Sequence, residues 1–161
     1  MRRKEQDRPA VGPEVARLLG LERAAGMREL SWYQGFGECV AETRRALLGF
    51  LVEARRAGLR IAGYGAPGKG NTLLNACGIR GDLIDYTVDR SPHKQGNFLP
   101  GSRIPILAPG RIFETRPDYV LILPWNLEAE IRQQMAGIAA WGVRFVVPIP
   151  ELRVIGDGGA R

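Results

Sequence analysis

The stretch Arg60-Ile61-Ala62-Gly63-Tyr64-Gly65-Ala66-Pro67-Gly68-Lys69-Gly70-Asn71-Thr72 decides how the rest of the chain is read. A short apolar run enters a turn with four glycines, and residues 72–77 then read as a helix closed by Gly78. The turn carries Gly-x-Gly-x-x-Gly at 63, 65 and 68, with a strand before it and a helix after it. That context gives the pattern physical meaning as a phosphate-binding turn. Glycine lets backbone approach an anion, and the amides at a helix start have no intrahelical acceptor. Lys69 adds a positive charge to the same turn. A second reading stands beside this one, in which the glycines serve only close packing of helix on strand. It leaves Lys69 and Asn71 unexplained.

Working outward, strands and helices alternate. Residues 83–88 read as a second strand, followed by a long connection over 89–102 punctuated by Pro92, Gly96, Pro100 and Gly101. Residues 104–107 form a brief strand, Pro109 opens a short helix, and the apolar run 118–123 is a strand stopped at Pro124. Asn126 caps a helix reaching Trp141, and 143–149 is the last strand. Continuous apolar runs such as 120–123 belong to strands covered on both faces, so the sheet is parallel with helices on either side. The expected fold is α/β: a small Rossmann-like, doubly wound parallel sheet with a helical N-terminal extension. Upstream, Pro13 opens a helical segment reaching Leu30, and Ser31 caps the next. Val40, Thr43, Leu47, Phe50, Leu51 and Ala54 then recur at helical spacing as one buried stripe. This gives tails at 1–12 and 156–161, an extension at 13–57 packing on the sheet, and a sheet domain at 58–155.

Composition narrows the function. The chain has 161 residues, 45% hydrophobic and 25% charged, enough for one core and not for two full domains. The net charge is +6, yet basic and acidic residues alternate, leaving +4 on residues 1–60 and +2 beyond, with no basic block. Nucleic acid is therefore not an expected partner. No run approaches a membrane span, and the basic start is not followed by an apolar signal core. Cys39 and Cys77 make neither a disulfide framework nor a zinc cluster, so both read as small buried residues in a cytoplasmic protein. The single histidine, His93, excludes sites needing two. No nucleophile triad, carboxylate pair or metal spacing is present, so no catalytic residue and no metal ligand is assigned.

Ligands of an open parallel sheet lie beyond the carboxyl ends of its strands. Besides residues 63–71, three places stand there. Asp89, 24 residues after Gly65, is placed to accept ribose hydroxyls as in dinucleotide folds, or simply starts the turn Asp89-Arg90-Ser91-Pro92. The connection 91–101, without secondary structure of its own, reads as a binding lid offering Lys94, Gln95 and Asn97. Trp125 either stacks on a base or sugar or is a half-exposed core residue whose neighbour Asn126 caps a helix.

The blocks 63–75, Asp85-Tyr86-Thr87-Val88-Asp89-Arg90, Lys94-Gln95-Gly96, Leu99-Pro100-Gly101, Ile104-Pro105 and Leu123-Pro124-Trp125-Asn126 closely resemble one family. It is the C-terminal domain of S-adenosylmethionine-dependent sugar C-methyltransferases, and the resemblance runs from about Ser31 to about Pro150. Those enzymes make branched deoxysugars on nucleotide carriers. Their pattern joins a cysteine-rich zinc domain, a central methyltransferase domain and this Rossmann-like domain. The resemblance implies a platform for a nucleotide-diphosphate sugar, of dTDP type. Gly63, Tyr64, Gly65, Ala66, Pro67, Gly68, Lys69, Gly70 and Asn71 would contact the diphosphate. Asp89, Lys94, Gln95, Gly96, Trp125 and Asn126 would complete the substrate site. Gly68 stands where relatives have alanine. Nothing in these residues corresponds to the zinc or central domain, so methyl transfer by this chain alone is not expected. S-adenosylmethionine is implied only for the family, with a separate methyltransferase chain as the partner that would supply it.

Two other readings remain at this point. One is a stand-alone NAD-binding module of a redox enzyme or sensor, which shares the glycine turn and Asp89 but shows no hydride-transfer apparatus. The other is an adaptor whose basic N-terminal segment binds a protein or nucleic acid.

Overall fold

The structure, a computed structural model, describes residues 12–156. The tails expected at 1–12 and 156–161 lie outside the described residues, apart from Gly12 and Gly156. The chain divides into two compact units, residues 1–40 and 41–161, with the division inside one helix.

In the first unit α1 (Pro13–Ala24) opens on Pro13, where a missing N–H costs nothing. It ends at a turn through Gly26, which has φ +75°. The helix expected to run on to Leu30 therefore stops earlier, and α2 (Leu30–Gln34) begins after Glu29. Ser31 lies inside α2 and caps nothing. The Tyr33 hydroxyl donates to the Met27 carbonyl at 2.7 Å, and the Trp32 and Tyr33 rings meet edge to face at 5.0 Å. Neither α1 nor α2 buries a residue.

α3 (Phe36–Arg56) begins to bury side chains only at Leu47, followed by Leu51 and Ala54. The expected stripe is thus truncated: Val40 is half exposed and Cys39 is exposed, contrary to the reading of both cysteines as buried. Both precede the part of the helix that meets the sheet. Cys77, at the end of α4 (Gly68–Cys77), is buried.

The second unit is a six-stranded sheet in the order β3-β2-β1-β4-β5-β6. β1 (Ile61–Tyr64), β2 (Tyr86–Val88), β3 (Ile106–Leu107), β4 (Tyr119–Ile122) and β5 (Arg144–Val147) are parallel neighbours. β1, β2 and β4 are buried throughout. Their alternating side chains feed two cores. Ile61, Leu121 and Leu123 join Leu47, Leu51 and Leu74 from α3 and α4 (Gly68–Cys77). Ala62, Val120 and Ile122 join Ile112 from α5 (Gly110–Thr115), Ile131 from α6 (Glu128–Gln134) and Met135 just after it. Helices on both faces of a parallel sheet make this the expected doubly wound Rossmann-like fold.

Three local expectations differ. β6 (Arg153–Ile155) adds an antiparallel edge to β5. The helix expected from Asn126 to Trp141 is divided into a 3₁₀ turn at Trp125–Leu127, then α6, then a 3₁₀ segment at Ala136–Trp141. Leu127 occupies the N-cap of α6 without a side-chain hydrogen bond, so Asn126 is not its cap. The connection 91–101 is not structureless. Gly96 donates to Ile106, Ile106 to Asn97 and Leu99 to Ile104, so it folds as a strap against the entry to β3.

Leu121→Ala, in fully buried β4, should cost about 2–5 kcal/mol in urea unfolding because the tight sheet cannot close over the cavity. Leu30→Ala, 73% exposed, should stay within about 0.5 kcal/mol.

Candidate functional site

The strand order reverses between β1 and β4, so connections leave their carboxyl ends in opposite directions and open a crevice there. The crevice is lined by residues 64–67 after β1, Asp89 and Lys94 after β2, Pro124 and Leu127 after β4, and Gln134 of α6; its volume is about 200 Å³. A larger hollow of about 840 Å³ lies between α6 and the β5–β6 edge. Arg132 is its one charged contributor among mostly Ala, Gly, Val and Phe, so the smaller crevice is the functional candidate.

The turn after β1 is shaped by three glycines with separate reasons. A Cβ on Gly63 would lie 2.8 Å from the Thr87 hydroxyl, so this glycine lets β2 lie close against β1. Gly65 has φ +87°, and a Cβ there would meet the Pro124 ring at 2.6 Å. Gly70 sits in the first turn of α4, where a Cβ would come within 2.8 Å of the Leu123 Cβ. Close helix–strand packing thus falls to Gly70 and not to Gly68, whose surroundings are open within 4 Å. The third glycine of the linear pattern is not the third glycine of the geometry.

Backbone accounting shows what this turn can offer. Gly65 donates to the Val88 carbonyl, and Ala66 donates to the Asp89 carboxylate at 2.8 Å. The first helical bond of α4 runs from Asn71 to Pro67. The amides of Gly68, Lys69 and Gly70 precede it and sit at the positive end of the helix dipole. Lys69 reaches from this turn to the segment that follows β4. Its ammonium donates to the Asn126 side-chain oxygen and lies over the Trp125 ring, 4.4 Å from the centroid. Lys69 and the adjacent pair Trp125 and Asn126, distant in sequence, therefore meet at one cation.

Asp89 is part-buried and heavily engaged. One carboxylate oxygen accepts from the Ser91 amide at 2.8 Å; the other accepts from Ala66 and from the Lys94 ammonium at 3.1 Å. Burial alone would raise its pKa, but the Ser91 and Ala66 amides and the Lys94 charge together hold it below the usual carboxylate value. Lys94 also donates to the Ala66 carbonyl at 3.0 Å, and Gln95 donates to the Asp89 carbonyl at 2.9 Å. Gly96 has φ +79° in the strap. His93 is exposed, as is Asn97, which donates to the His93 carbonyl. Tyr64 donates to Gln134 at 3.2 Å, and burial raises its pKa, so it stays a neutral donor facing the crevice.

Several participants carry no linear signal. The Thr87 hydroxyl donates to the Gly65 carbonyl at 2.7 Å, and Asn75 donates to the Pro100 carbonyl at 2.9 Å, tying the strap's far end to α4. Arg90 and Glu130 pair at 3.7 Å on the crevice rim. Of these only Asn75 sits at a legible spacing, four residues after Asn71 on one helix face.

Two predictions follow from this geometry. Gly68→Ala should stabilise the protein by about 0.4–1 kcal/mol by restricting the unfolded chain, whereas Gly65→Ala and Gly70→Ala should each destabilise it by about 1–3 kcal/mol; denaturant midpoints separate the two classes. The lowered pKa of Asp89 means its carboxylate stabilises the fold above its unfolded value near ~3.9, and that contribution is lost as pH falls through the native value. Thermal unfolding followed from pH 6 downward should therefore show a steeper acid loss for the natural protein than for Asp89→Asn.

Comparison with known proteins agrees with the sequence blocks. A family model described as the C-methyltransferase C-terminal domain matches residues 1–150. The C-methyltransferase NovU of Streptomyces niveus is 41% identical over 145 residues, which is 90% of this chain and 34% of that protein. The chain thus spans about a third of the length of the curated relative it matches. Among solved structures, UDP-D-quinovosamine 4-dehydrogenase from Vibrio fischeri is similar over 60% of this chain and 93% of that one, with a TM-score of 0.44 and 16% identity. With a match over 150 of its 161 residues, the chain belongs to the C-methyltransferase C-terminal domain family.

Proposed function

We propose that this chain is the nucleotide-sugar platform of a sugar C-methyltransferase acting in deoxysugar synthesis in the cytoplasm. The observation that carries the reading is the start of α4: three amides outside helical bonding, the positive end of the helix dipole and the Lys69 ammonium stand together, directly after the Pro67 that lines the crevice. This is a donor set for an anion. A diphosphate oxygen replaces the Asn126 oxygen on Lys69 at little cost, because a charge-assisted bond is exchanged for a stronger one. Trp125, freed of its cation, then offers a face to a sugar or base.

The same donor set fits S-adenosylmethionine poorly. Its sulfonium is a cation, which the helix-start amides and the Lys69 ammonium repel. The methyl donor therefore belongs to the part of the enzyme outside the third that this chain represents. A dinucleotide is also disfavoured, because the acid after β2 is engaged by Ser91, Ala66 and Lys94. This chain's contribution is to bind and orient the substrate, leaving the chemical step to a methyltransferase partner.

Isothermal calorimetry on the full chain with dTDP, a dTDP-sugar, NAD and S-adenosylmethionine tests the reading. The dTDP ligands should bind, and Lys69→Ala should weaken them by about 1–3 kcal/mol. Absence of dTDP binding, or micromolar binding of S-adenosylmethionine alone, overturns it.

A further inference from the structure

The role expected of Asp89 by analogy with dinucleotide folds is to accept ribose hydroxyls, and that of Lys94 is to touch the substrate. Their geometry assigns both to other work. A carboxylate has about four lone-pair sites. Three of those on Asp89 are taken from within the protein, and its side chain is only 14% exposed. Lys94 completes the arrangement by donating to the Ala66 carbonyl, while Asp89 accepts the N–H of the same residue. Both backbone polar groups of Ala66 are thereby held by one ion pair.

Ala66 immediately precedes Pro67, the N-cap of α4. Fixing it sets the direction in which the amides of Gly68, Lys69 and Gly70 point. The same pair ties down the strap's near end, because Ser91 donates to Asp89 and Gln95 donates to the Asp89 carbonyl. Its far end is held to α4 by Asn75 through Pro100, and the Gly101 Cα approaches the Asn75 side chain so closely that no Cβ fits between them. Root and tip are thus anchored on the same turn and helix.

We propose that Asp89 and Lys94 form a positioning pair that clamps the 91–101 strap and the Ala66 peptide, pre-forming the anion site without either side chain contacting the ligand. The functional consequence rests on the nucleotide-sugar reading above; the clamp itself does not. A site whose donors are already aimed loses less freedom on binding.

The test uses the full chain with Asp89→Asn, Lys94→Met, the double variant and Lys94→Arg. The first readout needs no ligand: hydrogen exchange across 91–101 and at the Ala66 amide. Exchange should accelerate roughly tenfold in each single variant, no further in the double variant, and return toward normal in Lys94→Arg, because the two residues act as one unit. The second readout is dTDP affinity, which should fall roughly tenfold in each single variant and by no more in the double variant, with recovery in Lys94→Arg. Unchanged exchange with additive losses of affinity means direct ligand contact and overturns the proposal. So does NAD binding that Asp89→Asn selectively abolishes, since that is the ribose role. If Asp89→Asn fails to fold, exchange in Lys94→Met against Lys94→Arg decides between the same outcomes. If the natural chain binds no dTDP, the nucleotide-sugar reading fails while the exchange result still judges the clamp.

Discussion

β1 is the constraint on which everything else in the sheet unit depends. It pairs with β2 on one side and β4 on the other, and both of its faces are covered by helices, so all four of its residues are buried. A strand so enclosed can leave the sheet only at its carboxyl edge, past the ends of two neighbours. The chain there has no room for side chains next to Thr87, Pro124 or Leu123, and glycine stands at each point of contact. The turn that satisfies this packing delivers the start of α4 to the crevice between β1 and β4. The glycines that close packing requires thus also place the first amides of α4, so the packing reading and the anion reading of this turn do not compete.

Around that turn the polar groups are distributed with little waste. Gly65 gives its N–H to Val88 and receives the Thr87 hydroxyl on its carbonyl; Ala66 is held at both groups by Asp89 and Lys94. Satisfied backbone at the base of the site leaves the first amides of α4 as the donors with work still to do. Lys69 links this turn to the segment after β4 through Trp125 and Asn126. The site is assembled from the ends of three strands, with Lys69 joining the turn after β1 to the segment after β4 and Lys94 joining it to the segment after β2.

What could be read from the residues was set by how local the cause is. The apolar runs 60–64 and 118–123 became β1 and β4 because burial on both faces demands continuous apolar sequence. The glycine turn was legible as a strand-to-helix junction for the same reason. Contacts between distant segments were not legible. Gly68 completes the linear pattern, yet Gly70 touches Leu123 more than fifty residues away. Asn126 has a capping side chain, but Lys69 claims it. β6 is three residues long with Arg153 at its start and sits at an exposed edge, so no hydrophobic pattern announces it. Helical spacing placed Val40 in line with Leu47, but periodicity says which face is apolar and not where along the helix a neighbour begins.

Gly63 and Thr87 occupy what amounts to a single packing volume shared between two strands. The hydroxyl that fills the space above the glycine is also the group that fixes the Gly65 carbonyl. Position 63 thus has no independent freedom to vary: a methyl group added there requires a smaller residue at 87, and a smaller residue at 87 removes the donor that orients the turn. A bulkier residue at position 63 of β1 therefore requires a rebuilt turn after the strand, so the two positions behave as one coupled unit.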